Sequence, residues 1–218
     1  MNMLKRNKGV LIITTLITVL PILVGLILWD QLPDQMATHF NFAGEADGWS
    51  GKTFAVIGLP MVLVGTHLIC TLATLADPKK QNIGDKMFRL VLWICPVLSI
   101  FVNGGVYLYS LGFPVDMGRI CMIMVSVVFL IVGNYMPKCR QNYTVGVKTP
   151  WALADVENWN KTHRLAGWLW ILSGVLMGIA AFLNKMNMAI MLGLILMAAF
   201  VPMIYSYVYY VRHGKADN

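Results

Sequence analysis

Charge is what this sequence has least of. Asp, Glu, Lys and Arg make up 12% of its 218 residues, against about 25% in an ordinary soluble domain, while 58% of the chain is apolar. A soluble fold of this size must show water a mostly polar shell, and this composition cannot supply one. Lipid removes that requirement. Cysteine is scarce and scattered: Cys70, Cys95, Cys121 and Cys139 form no Cys-x-x-Cys pair, and three of them fall inside apolar runs. A disulfide framework or a zinc site is therefore not expected. Also lacking are His-Glu-x-x-His, Gly-x-Ser-x-Gly and a phosphate-cradling glycine loop, so no catalytic constellation is visible. Neither enzyme activity nor a cofactor is expected.

What is present is a series of six apolar runs: Val10–Trp29, Phe54–Ala76, Leu90–Phe113, Ile120–Met136, Leu165–Leu183 and Met188–Val211. None contains Asp, Glu, Lys or Arg. Each is about long enough to cross the hydrocarbon core as a helix. The predicted fold is all-α, a polytopic membrane protein with six transmembrane helices. Lys5, Arg6 and Lys8 precede the first run, as in a secretory signal. That run is too long for an h-region, and Trp-Asp-Gln-Leu-Pro follows it instead of a small-residue cleavage site, so it reads as a retained anchor.

Orientation follows from where the cations lie. Of the 17 Lys and Arg residues, all but Lys52, Arg119 and Lys185 fall before the first run, in 77–89, in 137–164 or after Val211. The positive-inside rule places those four segments, and hence both termini, in the cytoplasm. The net charge of +7 thus reports topology and does not imply direct contact with nucleic acid. Two connections are long, the outer loop 30–53 and the inner loop 137–164. Asn184–Asn187 is short enough for a tight antiparallel pairing of the last two helices. The order helix, long loop, helix, short loop, helix occurs twice, dividing the chain into halves 1–113 and 114–218. Three spans per half would give the halves opposite orientations, as in inverted-repeat transporters, although sequence identity between them is negligible.

The outer loop carries Asp30, Asp34, Glu45 and Asp47 against one Lys, and Gly44, Gly48 and Gly51 punctuate it. Asp47-Gly48 is a turn pair. His39, Asn41, Asp47 and Lys52 bring polar groups near Trp49, a set suited to recognising an extracellular peptide. A plain turn-rich connector is the competing reading. His39, Glu45 and Asp47 could gather a metal but lack the spacing of a known ligand motif, so no metal is assigned.

In the inner loop, Thr149-Pro150 resembles an N-cap followed by Pro at the first helical position. Ala152, Val156, Trp159 and His163 recur at helical spacing, with Glu157 and Lys161 paired four apart on another face. The pattern predicts a short amphipathic helix lying in the inner headgroup layer, anchored by Trp151 and Trp159. It either steers the chain into helix five or forms a cytoplasmic docking platform, with Asn142, Lys148 and Arg164 exposed to a partner or to anionic lipid. Within the membrane, His67 in helix two and Asn103 in helix three are costly residues that raise a functional question by default. A neutral His bonded to a neighbouring helix is the commoner case; a transporter with a midplane site is the alternative. Gly174 and Gly178 are expected to pack helix five on a neighbour. Pro21, Pro60, Pro96 and Pro202 are expected to kink their helices.

The segment Gly133-Asn134-Tyr135 … Asn142-Tyr143 … Gly146-Val147-Lys148-Thr149-Pro150-Trp151 … Trp159 … Thr162-His163 resembles the signature of the SdpI family. These are bacterial membrane proteins named for an immunity protein against a secreted toxin. The outer segment Pro33 … His39-Phe40-Asn41 … Gly44 … Asp47-Gly48-Trp49 … Lys52 resembles a small domain of unknown function that often precedes that signature. The resemblance implies a bacterial plasma-membrane protein that meets a secreted peptide toxin outside and, in some cases, holds an ArsR-like repressor inside. On the reading of the residues themselves, recognition would fall to His39, Asn41, Asp47, Trp49 and Lys52 of the outer loop. Docking would involve Asn142, Lys148, Thr149, Trp151, Trp159 and His163. Lys148 stands where Arg is expected in many relatives, which keeps the charge but loses planar bidentate contacts.

Overall fold

The computed structural model describes residues 2–41, 44–183 and 188–213. Seven α-helices follow in chain order: α1 Met3–Ile27, α2 Leu59–Ala76, α3 Asp85–Ser110, α4 Met117–Tyr135, α5 Pro150–Ala154, α6 Val156–Phe182 and α7 Met188–His213. A π-helical turn, Phe54–Gly58, leads into α2, and a 3₁₀ turn, Met136–Lys138, ends α4. All but α5 are long and apolar enough to cross a membrane, at the six places where charge is missing from the sequence.

Two helices start earlier than their apolar runs. α1 begins at Met3, with Asn2 capping the Leu4 N–H, because Lys5, Arg6 and Lys8 are good helix formers and can occupy an exposed first turn. α6 begins at Val156, nine residues before the charge-free run. The predicted amphipathic helix is therefore divided. Thr149 caps α5 as expected, its hydroxyl accepting from the Ala152 N–H at 3.2 Å. The chain then turns extended at Asp155, whose carboxylate accepts from the Glu157 N–H at 2.8 Å and caps α6. Residues 156–163 are the first turns of a spanning helix. The Glu157–Lys161 pair forms at 2.8 Å.

A larger departure lies in the outer loop. It is a β-hairpin, β1 Gln35–Phe40 against β2 Ala46–Gly51, antiparallel. Asp47-Gly48 is not its turn. The reversal spans Asn41 to Glu45, closed by Asn41 N–H on Glu45 C=O at 2.8 Å, with Gly44 at φ 81°. Gly48 sits inside β2 opposite His39, at an irregular register where a Cβ would come within 2.9 Å of the His39 Cβ. Its glycine serves close cross-strand approach at a bulge, not a turn.

The chain resolves into two compact units, Met1–Leu75 with Phe88–Met124, and Ala76–Met87 with Val125–Asn218. In the first, Leu32, Met36, Ala55, Val56, Val106 and Tyr107 form a buried apolar cluster. Gly25 lets α1 approach it, since a Cβ there would lie 2.6 Å from Val56 and 2.7 Å from the Tyr107 hydroxyl. The hairpin is tied down by Phe40 packed edge-on to Tyr109, and by Lys52, which donates to the Trp29 carbonyl at 3.2 Å and pairs with Asp34 at 3.3 Å.

In the second unit α4 and α6 meet on small residues, as membrane helices without a hydrophobic driving force do. A Cβ at Gly133, Gly167 or Gly174 would fall 2.8–3.0 Å from backbone of the facing helix. The Ser126 hydroxyl donates to the Gly174 carbonyl at 2.7 Å, and Phe129 stacks on Trp170. Gly174 thus packs helix five on a neighbour as expected. α6 bonds α7 through the Trp170 indole N–H on the Ala198 carbonyl at 3.1 Å. The connection Asn184–Asn187 lies outside the described residues.

Candidate functional site

On the hairpin, strand alternation sorts the outer candidates. The Asp47 and Trp49 side chains share the exposed face of β2, Trp49 at 57% exposure, and His39 stands exposed on β1. His39 Nδ1 and Asp47 Oδ1 are hydrogen-bonded across the strands, which fixes the imidazole beside the carboxylate. Asn41 and Glu45 instead lock the reversal: the Asn41 side chain donates to the Glu45 carboxylate at 3.1 Å and accepts from the Glu45 N–H at 3.0 Å. Lys52 points inward to Trp29 and Asp34. The five candidates therefore separate into a solvent-facing trio, a turn lock and an anchor. Among the described residues no three of His, Cys, Asp and Glu converge as a metal site.

The signature segment is organised differently: Asn142, Thr149, Asn158, Thr162 and His163 are buried and hydrogen-bonded within the protein. Asn142 is 1% exposed. Its oxygen accepts from the Thr144 and Val145 N–H groups at 2.9 and 2.6 Å, and its nitrogen donates to the Arg140 carbonyl at 2.8 Å. The expectation that Asn142 is exposed is overturned, because its carboxamide is consumed in folding the loop. His163 is also buried. Its Nδ1–H donates to the Trp159 carbonyl at 2.8 Å and its Nε2 accepts from the Val147 N–H at 3.0 Å, so both ring nitrogens are satisfied by the neutral tautomer. Gly146, at φ 112°, passes directly over this ring; a Cβ there would collide with Nε2.

Trp159 is fully buried, its indole N–H on the Cys139 carbonyl at 2.7 Å and its ring stacked on His163 at 3.9 Å. Its assignment to the headgroup layer as an anchor is therefore replaced by a role in the core. Thr149 heads a chain of buried hydroxyls and amides: its Oγ lies 2.8 Å from Ser206 Oγ, which donates to Asn158 Oδ1 at 2.9 Å, where the Thr162 hydroxyl also donates at 2.9 Å. Trp151 is half-buried against Tyr207. Lys148 and Arg164 are exposed, and Lys148 donates to the Thr144 carbonyl at 3.0 Å.

Sequence reasoning missed Asp77. This carboxylate, 3% exposed, accepts from the Lys79 and Tyr143 N–H groups at 2.7 and 2.9 Å and from the Thr144 hydroxyl. It joins the connection after α2 to the signature loop. The available signal was an acid followed directly by Pro78 and two lysines. Asn158 and Ser206 were missed because each looks like an ordinary polar residue at a helix end. Cys139 is buried, and burial pushes its thiol up to about 11, opposed by a hydrogen bond from Asn142, the environment of a structural cysteine.

His67 and Asn103 belong to a buried polar track in the first unit. His67 Nε2 lies 3.4 Å from the Thr14 hydroxyl; the Thr18 hydroxyl donates to the Thr14 carbonyl; Ser99 donates to Thr18 at 2.9 Å; and Asn103 donates to Ser99 at 2.7 Å. His67 Nδ1 and Asn103 Oδ1 have no hydrogen-bond partner among the described residues.

Six apolar helices, a hairpin between the first two and a hydrogen-bonded loop before the fifth define a multi-pass membrane protein of the bacterial cell membrane. The model of the SdpI/YfhL protein family matches residues 138–206, from the loop before α5 through most of α7. A domain of unknown function (DUF1648) matches 16–64, which covers the end of α1, the hairpin and the start of α2. The chain is similar to "Immunity protein SdpI" of Bacillus subtilis (strain 168), with 24% identity over 214 residues, 96% of this chain and 98% of that one. No solved structure matches it.

Proposed function

We propose that this protein is a non-enzymatic immunity protein that protects its cell from a secreted peptide toxin. The observation that carries the reading is similarity to an immunity protein across 96% of the chain, including both loops. In this reading both termini are cytoplasmic, as the cation distribution favours, and the hairpin faces outward. His39, Asp47 and Trp49 then offer a paired acid and imidazole beside an exposed indole, a surface suited to a peptide with cationic and apolar groups. Toxin binding would favour one of two helix packings, a population shift. The inner platform would report it to a repressor through Lys148, Arg164 and the α5 surface, with Asn142, Thr149, Trp159 and His163 holding that platform in shape. The test is survival of a toxin-sensitive host expressing the chain: protection is expected, and its absence at verified membrane levels rejects the reading.

A second reading, a small transporter, is favoured by the two unbonded polar atoms in the buried track, His67 Nδ1 and Asn103 Oδ1, since such groups cost about 1–3 kcal/mol each. It predicts uptake into proteoliposomes that His67→Ala or Asn103→Ala abolishes while loop variants retain it. Loss from loop variants and not from these two would exclude it.

A further inference from the structure

Between the start of α3 and the end of α4, within the second unit, lies a cavity of about 280 Å³. Lys86, Lys138 and Arg140 line it against one carboxylate, Asp85, so its rim carries an excess of positive charge. Lys138 is held over the Tyr135 ring, its Nζ 5.2 Å from the centroid. The lining also includes the first turn of α3, a 26-residue helix, where the positive end of the helix dipole lies. The cavity sits where two spans terminate, Asp85–Ser110 at its first residues and Met117–Lys138 at its last. The ends of spans that cross the hydrocarbon core fall near the level of the lipid phosphates. The signature segment supplies Lys138, Arg140 and Asn142 to its lining.

We propose that this cavity binds the phosphodiester of an anionic glycerophospholipid headgroup. Its chemistry suits any phosphate: Lys86, Lys138 and Arg140 bring both positive charge and hydrogen-bond donors. Its place at two span ends selects the lipid as the source. Its volume is just below the range of about 300–1,000 Å³ typical of drug-sized ligands, which fits a headgroup and not a whole lipid.

The test uses the full chain purified in neutral detergent, with native mass spectrometry reading retention of short-chain phosphatidylglycerol against phosphatidylcholine. Wild type should retain phosphatidylglycerol selectively. Lys86→Gln/Arg140→Gln should lower that retention about 25-fold, taking roughly 5-fold per cation, while Lys5→Gln/Lys8→Gln, an equal loss of exposed charge elsewhere, should leave it unchanged. Equal loss in both double variants would mean diffuse surface attraction and overturn the site. Inorganic phosphate binding to the lipid-free protein as tightly as the lipid does would assign the cavity to soluble phosphate and overturn the lipid reading. Because the first double variant could fail to fold, Asp85→Asn provides an independent arm: it should raise retention several-fold, and unchanged or weaker retention counts against the proposal.

Discussion

The hairpin between the first two spans and the signature loop before α5 are both polar connections, yet they use their polar groups in opposite ways. The hairpin leaves its His39–Asp47 pair and Trp49 in solvent, with its backbone satisfied by strand pairing. The inner loop has no sheet to satisfy its backbone. Asn142, Asp77, Gln141 and His163 perform that task with side chains that bond loop N–H and C=O groups. A side chain committed to the backbone is unavailable to a partner, so a family signature can mark a folding device as readily as a contact surface. The hairpin can lose exposed side chains and keep its shape; the inner loop cannot lose its buried ones.

That contrast can be broken or sharpened by substitution. The largest effect is expected from Gly146→Ala, which meets both a positive φ and the His163 ring. Strain plus displacement of the Val147–His163 bond should cost about 3 kcal/mol or more, read as a collapse of thermal unfolding temperature in detergent or of membrane yield. Next comes Asn142→Ala, which strands two loop N–H donors and should cost about 2–3 kcal/mol by the same measurement. Trp159→Phe keeps the ring stacked on His163 but orphans the Cys139 carbonyl. A loss of about 1–2 kcal/mol is expected. Trp49→Ala and Asp47→Ala remove exposed side chains and should shift stability by no more than about 0.5 kcal/mol, while weakening toxin survival. A hairpin variant that unfolds the protein, or an Asn142→Ala protein as stable as wild type, would erase the distinction.

The spans were legible because a membrane helix is written in missing charge, which no tertiary contact needs to interpret. Their ends were not. α6 reaches back to Val156 through Asn158, Thr162 and His163, and these polar residues sit inside a bundle only because Ser206 on α7 and Val147 in the loop satisfy them. That is long-range information. The Thr149-Pro150 cap and the Glu157–Lys161 pair, being local, were readable. The hairpin was hidden for a related reason: Asp47-Gly48 has the composition of a turn, and only its pairing with His39 shows the glycine is needed for cross-strand approach. Trp159 has the chemistry of an interfacial anchor, and burial against Cys139 and His163 decides otherwise.

The account rests most heavily on the hairpin as a recognition surface outside the cell. The most direct measurement is survival of a toxin-sensitive host carrying wild type, Asp47→Ala or Trp49→Ala at matched membrane levels, with thermal stability measured on the same proteins. The expected result is protection by wild type and clear loss of protection in both variants, with stability unchanged. Full protection by both variants, or no protection by wild type, would contradict it.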